Sequence, residues 1–485
     1  MDCSELGIML KRRLRGGILR RRLGRALLFG VGCTIAGWVA LRFVPLPAPL
    51  FEALPVSAEL TDRHGVLLRE VKAADQYARD FTLKAVPDEL VKAMLAAEDK
   101  RFYSHGGTDV LAIGRAAFEN LRHGRITSGA STITQQLIKQ AAPRRRTLRT
   151  KVIEAIQAMR LEQVWSKDQI LEEYLRRIDF GNLNIGVGAA TEFYFGKPLA
   201  DVTMAEAAFL AGLPKNPTRL NPHRHMRAAV RRQQTVLARM LANRWLDEAS
   251  YRRAITESLS LRGPRRTFHA PHFVDLILRQ NGGKQINKPI RTTVDFGLQT
   301  KAETIFRERL APLRSKNVRN AAAVVLDNRS GDVLALAGSE DYFSPGSGQV
   351  NGAMAPRSAG STLKPFTYLL ALESGATTAT VIPDVPVVFM TSTGVYQPEN
   401  YHQHCHGPVR FRHALGNSLN IPAVKTLASL GGPEPLCRLL RGWGMSTLSR
   451  PATEYGLGLT IGNAEVRLLE LTNAYAALAR LGTWR

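Results

Sequence analysis

The hydrophobic pattern of this chain changes near residue 262, and that change limits the architectures it can adopt. Between residues 75 and 258, apolar residues recur every three or four positions, which is the spacing of helices with one buried face. The clearest runs are residues 89–97, 147–164 and 228–241. Beyond a Gly-Pro break at 262–266, short strand-like segments follow at 291–294, 321–326 and 332–337, with a turn at 328–331. The sequence therefore predicts a mainly helical domain followed by an α/β domain.

A basic tail and an apolar run precede these domains. Eight Lys and Arg residues lie within residues 1–25, and the run 26–41 carries no charged side chain. As a helix this run measures about 24 Å against a hydrocarbon core of roughly 30 Å, and Arg42 can reach the interface while Phe43 and Val44 lengthen the span. We expect an uncleaved anchor at 26–44, with the tail in the cytoplasm and the remainder outside. A cleaved signal peptide is the alternative, although no convincing cleavage site follows.

The net charge of the chain indicates that its partners are anionic, but it does not identify which kind of anion they are. The formal net charge of +25 predicts attraction to a polyanion, such as nucleic acid, an anionic membrane or a phosphorylated substrate. Of four cysteines, Cys405 and Cys437 are a possible disulfide pair in an oxidising compartment, but unpaired thiols are favoured. A zinc site at His402, His404, Cys405 and His406 is disfavoured, because ligands so crowded in sequence cannot easily surround one ion tetrahedrally.

Two glutamates in the helical region have neighbours that suit the chemistry of joining sugars. Glu98 begins the block 98–107, Glu-Asp-Lys-Arg-Phe-Tyr-Ser-His-Gly-Gly, and Glu154 follows the block 129–136, Gly-Ala-Ser-Thr-Ile-Thr-Gln-Gln, and a cationic run at 144–151. A sugar hydroxyl is a weak nucleophile at neutral pH, so its reaction needs a carboxylate to accept the proton and donors to hold a departing phosphate. Glu98 suits the first role, and the stretch 131–154 suits the second. Taken alone, adjacent acids at a helix end are more often a solvated surface.

These blocks, in this order, resemble the signature of the family 51 peptidoglycan glycosyltransferases. The order continues with 167–175, Lys-Asp-Gln-Ile-Leu-Glu-Glu-Tyr-Leu, and 206–214, Glu-Ala-Ala-Phe-Leu-Ala-Gly-Leu-Pro. Further on, 360–366, Gly-Ser-Thr-Leu-Lys-Pro-Phe, and 418–420, Ser-Leu-Asn, are similar to two of the three motifs of penicillin-binding transpeptidases. From about Pro45 onward the chain resembles a class A penicillin-binding protein of the "one C" subgroup. The third motif, Lys-Thr-Gly, does not occur, and we expect the chain to be truncated before it.

The resemblance implies roles for residues of the first domain. Glu98 is the expected general base for the 4-hydroxyl of the acceptor sugar, worth about 10²- to 10⁴-fold. Glu154 is expected to be catalytic on the helix face that it shares with Lys151, near the donor diphosphate. Expected substrate-binding residues are Asp99, Phe102, His105, Ser131, Thr132, Thr134, Gln135, Gln136, Lys139, Arg149 and Lys151. From the residues alone, Ser131 could instead cap the next helix, and the cationic run could be solvated surface.

Two departures from the family pattern fall in this domain. Thr150 stands where an Arg is expected before Lys151, so Arg149 is the expected substitute in the phosphate clamp. Arg176 stands where the family has Asn, and we assign it no catalytic role. Relatives have an amphipathic surface that dips into the membrane between the first two blocks, and Val110, Leu111 and Ile113 could face lipid here. Core packing is the alternative.

In the second domain the resemblance implies a transpeptidase site. Ser361 and Lys364 are one helical turn apart, so the amine can act as a base towards the hydroxyl if desolvation keeps it neutral. Ser418 would relay protons and Asn420 would hold a peptide amide. Without a Lys-Thr-Gly strand, which normally binds the donor carboxylate, we expect little or no stable acylation of Ser361 by penicillin.

Together these features predict a multidomain α and α/β protein. The expected parts are a cytoplasmic tail (1–25), a transmembrane anchor (26–44), a linker (45–74), a mainly α, lysozyme-like glycosyltransferase domain (75–258), a linker (259–290) and a partial α/β transpeptidase domain (291–485). The expected function is polymerisation of lipid II into β-1,4 strands with release of polyprenyl diphosphate, on the periplasmic side of the bacterial inner membrane. Expected partners are lipid II, nascent peptidoglycan and other cell-wall synthesis proteins. No cofactor or metal site is expected, although a divalent cation could neutralise the leaving group.

Three alternatives remain open. The chain could be part of a full bifunctional glycosyltransferase and DD-transpeptidase, or a non-catalytic scaffold that binds the cell wall. Its basic charge also permits nucleic-acid binding, but the predicted anchor and the lack of a recognised nucleic-acid module argue against that function.

Overall fold

The computed structural model describes residues 36–123, 131–263, 266–282, 286, 288–391 and 394–484. The chain divides into two compact units. The first unit comprises Val71–Arg266, the segment that ends at Ala58, and residues 285–287. The second comprises Glu59–Glu70, Thr267–Lys284 and the chain from Lys288 onward. Each unit is described by itself below.

The first unit is mainly helical, as predicted. Its helices are α1 (Asp88–Glu98), α2 (Val110–His123), α3 (Ile133–Ala141), α4 (Leu148–Leu161), α5 (Lys167–Arg177), α6 (Val187–Phe195), α7 (Met204–Gly212), α8 (Pro222–Ala242) and α9 (Glu248–Thr256), and residues 36–41 are also helical. The starts of α3, α5 and α7 are set by capping boxes at Thr132, Ser166 and Thr203, in which a Gln or Glu three residues on returns a hydrogen bond to the cap.

Helix α7 is the centre of this unit. Residues 205–212 of α7 are all buried, and α1 and α8 pack against it. Alanines along α7 keep its surface smooth, and a side chain at Gly212 would meet Arg232 of α8 at 2.9 Å. Burial of each large apolar side chain, such as Phe209, contributes roughly 1.5–3 kcal/mol. This packing fixes the position of Glu98, because Glu98 is the last residue of α1.

The second unit combines small sheets with helices. Strands β3 (Tyr77–Ala78) and β4 (Asn184–Ile185) form a parallel pair in the first unit. The strands of the second unit include β1 (Ala58–Thr61), β2 (Leu67–Val71), β5 (Ile290–Arg291), β6 (Ala323–Leu326), β7 (Val333–Ala337), β8 (Arg357–Ser358), β9 (Val381–Asp384), β10 (Phe389–Thr391), β11 (Gly394–Tyr396), β12 (Gly407–Arg410) and β13 (Glu465–Val466). Strands β6 and β7 form the predicted antiparallel hairpin, with Ala323 opposite Ala337. Strands β2, β1 and β5 form a three-stranded sheet in that order.

Helices of the second unit surround a separate apolar core. They are α10 (Pro271–Gln280), α11 (Phe296–Leu310), α12 (Lys364–Glu373), α13 (Phe411–Gly416), α14 (Asn420–Ser429), α15 (Pro433–Gly442), α16 (Ala452–Tyr455) and α17 (Leu468–Ala479). Phe366 of α12, Leu427 of α14 and Leu440 of α15 are fully buried in this core. Their packing holds the first turn of α12 and the first turn of α14 in place.

Several predicted boundaries need correction or lie outside the described residues. The linker predicted at 45–74 contains β1 and β2, because Leu60 and Leu68 are fully buried. The linker predicted at 259–290 contains α10. The predicted tail 1–25 and most of the predicted anchor 26–44 fall outside the described residues. Within the part that is described, no helix has both the length and the apolar character needed to cross a bilayer.

Candidate active sites

A cleft of about 500 Å³ lies at the end of α1 in the first unit. Glu98 lines it together with polar and cationic side chains from α3, from α4 and from the segment before α4. The lining residues are Glu98, Ser131, Gln135, Gln136, Lys139, Arg146, Lys151, Pro214, Lys215, Asn216 and Pro217. The structure therefore brings six of the predicted site residues to one cavity: Glu98, Ser131, Gln135, Gln136, Lys139 and Lys151.

Glu98 is half-buried, and its carboxylate has a defined orientation. Gln136 Nε2 donates to Glu98 Oε2 over 2.8 Å, and the hydroxyl of Tyr174 donates to Gln136 Oε1 over 3.2 Å. Burial, aided by the charges of Glu98 and Asp99, raises the pKa of Tyr174 well above its ordinary value, so this hydroxyl stays a donor. A donor at Gln136 Oε1 turns the amide so that its NH₂ group faces Glu98. One oxygen of Glu98 is thus occupied by Gln136.

Basic side chains line the remainder of the cleft. Lys151 Nζ donates to Ser131 Oγ over 3.1 Å and forms an ion pair of 3.0 Å with Glu154 Oε2. Glu154 is 4% exposed and does not line the cleft, so the structure places it behind Lys151. Catalysis by Glu154 stays a prediction, and its position also suits holding the Lys151 ammonium at the wall. Ser131 does not cap α3, because Thr132 is the capping residue.

Two arginines of α8 stand behind Glu98, and the sequence analysis missed them. Arg239 Nη1 donates to the carbonyl oxygen of Ala97 over 2.9 Å, at the C-terminal end of α1. Arg232 is 9% exposed. The pKa of Lys215, in the cleft wall, is lowered first by the charge of Arg232 and then by burial and by the charge of Arg239. The charge of Glu98 opposes that shift. The signal was present in the sequence: Arg232 occupies the same buried stripe of α8 as Ala229, Val236 and Met240, where an apolar residue is expected.

Five residues predicted to bind substrate lie beneath the cleft instead of lining it: Asp99, Phe102, His105, Thr132 and Thr134. Asp99 Oδ2 accepts hydrogen bonds from His105 Nε2 over 3.0 Å and from the backbone N–H of Ile133 over 3.1 Å. The Lys167 ammonium lies 4.3 Å from the centre of the Phe102 ring. These contacts join the first motif block to the start of α3. Substrate binding by these five residues stays a prediction, and their contacts also suit them to support the cleft.

The two threonines of this group have polar partners of their own. Thr132 Oγ1 donates to the carbonyl oxygen of Gly107 over 2.7 Å, and Thr134 Oγ1 donates to Glu162 Oε1 over 2.6 Å. Gly107 has φ +91°, and a Cβ atom there would come within 2.6 Å of the backbone of Ala158 in α4. The loop that follows Glu98 consequently lies directly against the helix that carries Lys151.

Both departures from the family pattern have structural outcomes. Arg149 is exposed and does not line the cleft, whereas Arg146 does, so Arg146 replaces Arg149 as the additional cation. The difference arises because Arg146 precedes the first turn of α4. Arg176 donates through Nε to the carbonyl oxygen of Phe81 over 3.0 Å and forms ion pairs of 3.1 Å with Asp80 and with Glu172. Arg176 thus connects α5 to the segment before α1, away from the cleft lining.

The second unit brings together Lys364, Ser418 and Asn420 of the predicted transpeptidase site. Lys364 is 1% exposed, and its Nζ donates to Ser418 Oγ over 3.1 Å, to Asn420 Oδ1 over 2.7 Å and to the carbonyl oxygen of Ser418. Burial lowers the pKa of Lys364 to about 8. Ser361 is exposed in the 3₁₀ turn Gly360–Leu363 that leads into α12. A buried amine that loses its proton near neutral pH is suited to act as a base.

The cysteines and histidines of the second unit do not form a metal site. Cys405 and Cys437 are both free thiols, so the disulfide considered from the sequence is absent. His406 Nδ1 lies 2.8 Å from Oδ2 of the fully buried Asp384. Among the described residues, no group of three or more His, Cys, Asp or Glu side chains is arranged to hold a metal ion.

Known protein families account for both units. Residues 64–241 match the Transglycosylase family model, and residues 321–484 match the penicillin binding protein transpeptidase domain. The chain is 34% identical over 453 residues to penicillin-binding protein 1C of Escherichia coli (strain K12), covering 92% of this chain and 57% of that protein. It is also 34% identical over 424 residues to penicillin-binding protein 2D of Bacillus subtilis (strain 168), covering 82% of this chain and 59% of that protein. The chain thus spans less than two thirds of the length of these relatives.

A solved structure shares the fold. The crystal structure of penicillin-binding protein 1A from Haemophilus influenzae superposes with a TM-score of 0.57 at 21% identity, covering 88% of this chain and 68% of that chain. At this identity the likeness shows the fold alone. The combination of a transglycosylase domain with a penicillin-binding transpeptidase domain, and the relatives that share it, place this chain in the class A penicillin-binding proteins.

Proposed function

We propose that the chain is a peptidoglycan glycosyltransferase that polymerises lipid II into β-1,4 glycan strands and releases polyprenyl diphosphate. The observation that carries this proposal is the cleft of the first unit. It contains one oriented carboxylate, Glu98, facing four basic side chains, Lys139, Arg146, Lys151 and Lys215. A carboxylate can accept a proton from a sugar hydroxyl, and cations can hold a diphosphate. This pairing favours glycosyl transfer from a diphosphate donor over a non-catalytic scaffold.

In the proposed reaction, Glu98 takes the proton of the acceptor 4-hydroxyl as that oxygen attacks the anomeric carbon of the donor. The bond from the anomeric carbon to the diphosphate oxygen breaks with inversion, and the electron pair leaves with the diphosphate. Lys139, Arg146 and Lys151 stabilise the charge that develops there. No cofactor is required in this scheme, although a divalent cation could assist the leaving group.

The test is polymerisation of purified lipid II by the full chain in detergent. We expect Glu98→Gln, which keeps the shape and removes the base, to lower the rate by about 10²- to 10⁴-fold. The matched control is Glu89→Gln, on the exposed side of the same helix. Equal activity of Glu98→Gln and wild type would reject the proposed base. Absence of activity in wild type would favour the scaffold.

A second activity, DD-transpeptidation, is favoured by the buried Lys364 and its contacts with Ser418 and Asn420. The test is labelling of Ser361 by a fluorescent penicillin, which acylates the serine of a working transpeptidase site. Strong labelling that disappears in Ser361→Ala would establish a functional acylation site in this chain and would favour the full bifunctional enzyme.

We propose that the protein acts at the bacterial inner membrane, held by residues 26–44 with its catalytic domains on the periplasmic side. Helix α2 supports contact with lipid, because among its described side chains five large apolar ones are exposed. They are Val110, Leu111, Ile113, Phe118 and Leu121, which are 73%, 70%, 46%, 67% and 83% exposed. Its proposed partners are lipid II, the growing glycan strand and other cell-wall synthesis proteins. Nucleic acid is not among them.

A further inference from the structure

The amine of Lys364 depends on one short segment for its polar contacts. All three acceptors of Lys364 Nζ belong to Ser418 and Asn420, at and just before the first turn of α14. A shift of this turn would remove the oxygens from the amine and admit water. The residues that hold the start of α14 therefore control the surroundings of the candidate base.

The start of α14 is capped by a residue from elsewhere in the sequence. The residue before it, Leu419, offers no side-chain hydrogen bond, and the first backbone N–H groups of a helix have no partners within the helix. Here Asn400 Oδ1 accepts hydrogen bonds from the N–H groups of Asn420 over 2.8 Å and Ile421 over 3.2 Å. The side chain of Asn420 is tied to the same loop, since its Nδ2 donates to the carbonyl oxygen of Glu399 over 2.8 Å.

A buried carboxylate orients the capping amide. Asn400 Nδ2 donates to Oδ1 and Oδ2 of Asp384 over 2.8 and 3.0 Å. An ionised carboxylate only accepts hydrogen bonds, so it fixes the NH₂ group of Asn400 on its own side and directs Oδ1 to α14. Asp384 is fully buried and Asn400 is 6% exposed. Burial opposes ionisation of Asp384, but hydrogen bonds from Asn400 and His406 outweigh it and lower the pKa of this carboxyl.

We propose that Asp384 and Asn400 are positioning residues of the transpeptidase site, which act by holding the first turn of α14 so that Asn420 contacts the Lys364 amine. They lie 16 residues apart, in β9 and in the loop that precedes β12, outside both sequence motifs of the site. In the described part of the chain, neither Asp384 nor Asn400 hydrogen-bonds to the Lys364 amine or to Ser361. Its effect on chemistry runs through Asn420. The inference deepens the proposed second activity, because it assigns Lys364 as the base of that site.

The test is a pH titration of Lys364 in the full chain, monitored by NMR of lysine labelled at ¹³Cε. The Lys364 signal is assigned as the one that is lost in Lys364→Arg. In wild type we expect a midpoint near the pKa of about 8 that burial produces. Asp384→Asn should let the Asn400 amide turn, withdraw the Asn420 oxygen from the ammonium and admit water, so that the midpoint shifts by about one pH unit or more. Asn400→Ser, which cannot span both partners, should act likewise and serves if Asp384→Asn does not fold.

A double-mutant cycle separates positioning from general damage to the fold. Asn420→Ala should shift the Lys364 midpoint, and adding Asp384→Asn should shift it no further, because both changes act through one contact. Thr426→Val is the matched control: it removes the bond from Thr426 Oγ1 to the Pro422 carbonyl in the same helix, lowers the Tm and leaves the midpoint in place. An unchanged midpoint in Asp384→Asn and Asn400→Ser, or additive shifts in the double variant, would overturn the proposal. The titration requires neither lipid II polymerisation nor acylation of Ser361, so its failure is distinct from failure of either activity.

Discussion

The two candidate sites place their lysines in opposite environments. In the first unit, Lys139, Lys151 and Lys215 line a cleft together with Arg146, where a diphosphate can reach them. In the second unit, Lys364 is 1% exposed, and burial lowers its pKa to about 8. The same residue type is thus suited to bind an anion in one site and to accept a proton in the other. The two sites differ in how deeply the lysine side chains are buried, and a sequence motif does not indicate burial.

Among the changes that test this comparison, the largest effect should come from removing a lysine that lines the cleft. Lys139→Ala should lower the rate of lipid II polymerisation by roughly 10²- to 10³-fold, because the developing diphosphate charge loses a partner. The inhibition of polymerisation by added salt should also become less steep, since an exposed charge is screened by ions. Initial rates over a series of NaCl concentrations measure both effects.

Lys92→Ala, on the exposed surface of α1, is the charge-matched control for that variant and should leave the rate unchanged. Equal losses in Lys92→Ala and Lys139→Ala would mean that net charge, and not the cleft, determines the rate.

A smaller effect is expected from Tyr174→Phe. Without the Tyr174 hydroxyl, the Gln136 amide is free to turn its oxygen towards Glu98, and loss of one such hydrogen bond corresponds to about a tenfold lower kcat. KM should change little, because Tyr174 is fully buried. Tyr103→Phe, which removes the exposed bond to Asp168, is the control. A change confined to KM would contradict the orienting role.

The buried lysine should make the stability of the second unit depend on pH. The folded-state pKa of Lys364, about 8, lies below its ordinary value of 10.5, so between these values the unfolded chain binds more protons and stability rises with pH. The expected gain in the free energy of unfolding is about 1 kcal/mol between pH 8 and pH 9. Urea unfolding at both values measures it, and Lys364→Met should lose the gain. An equal gain in Lys364→Met would assign it to other groups.

The smallest effect concerns the support beneath the cleft. Thr134→Val removes the bond to Glu162 and should lower the free energy of unfolding by about 1 kcal/mol while leaving KM for lipid II unchanged. Ser131→Ala, in the cleft wall, should raise KM instead. A raised KM in Thr134→Val would restore Thr134 to the substrate-binding residues.

The spacing of apolar residues predicted the helical and α/β parts, because such spacing is a local property of the sequence. The motifs predicted six residues of the cleft, because each motif is also local in sequence. The sequence did not distinguish residues that line the cleft from residues that are buried next to it. Thr132 and Thr134 alternate with Ser131 and Gln135 in one block, and the packing at the start of α3 determines which of these side chains are buried. Arg232 and Arg239 were missed because their partners, Ala97 and Glu98, lie more than 130 residues earlier. Asp384 was missed because it lies outside both sequence motifs, and its contact with Asn400 comes from the fold of the loop before β12.

The close approach at Gly107 has a consequence for how the site can vary. Because the backbone of Ala158 leaves no space for even one methyl group, any side chain at position 107 would push the segment after Glu98 away from α4. Glu98, the proposed proton acceptor, and Lys151, the proposed phosphate-binding lysine, would then move apart, although neither had been altered. The distance between these two side chains therefore depends on glycine at position 107. A substitution of Gly107 should lower the rate of polymerisation without altering any side chain that is proposed to contact the substrate.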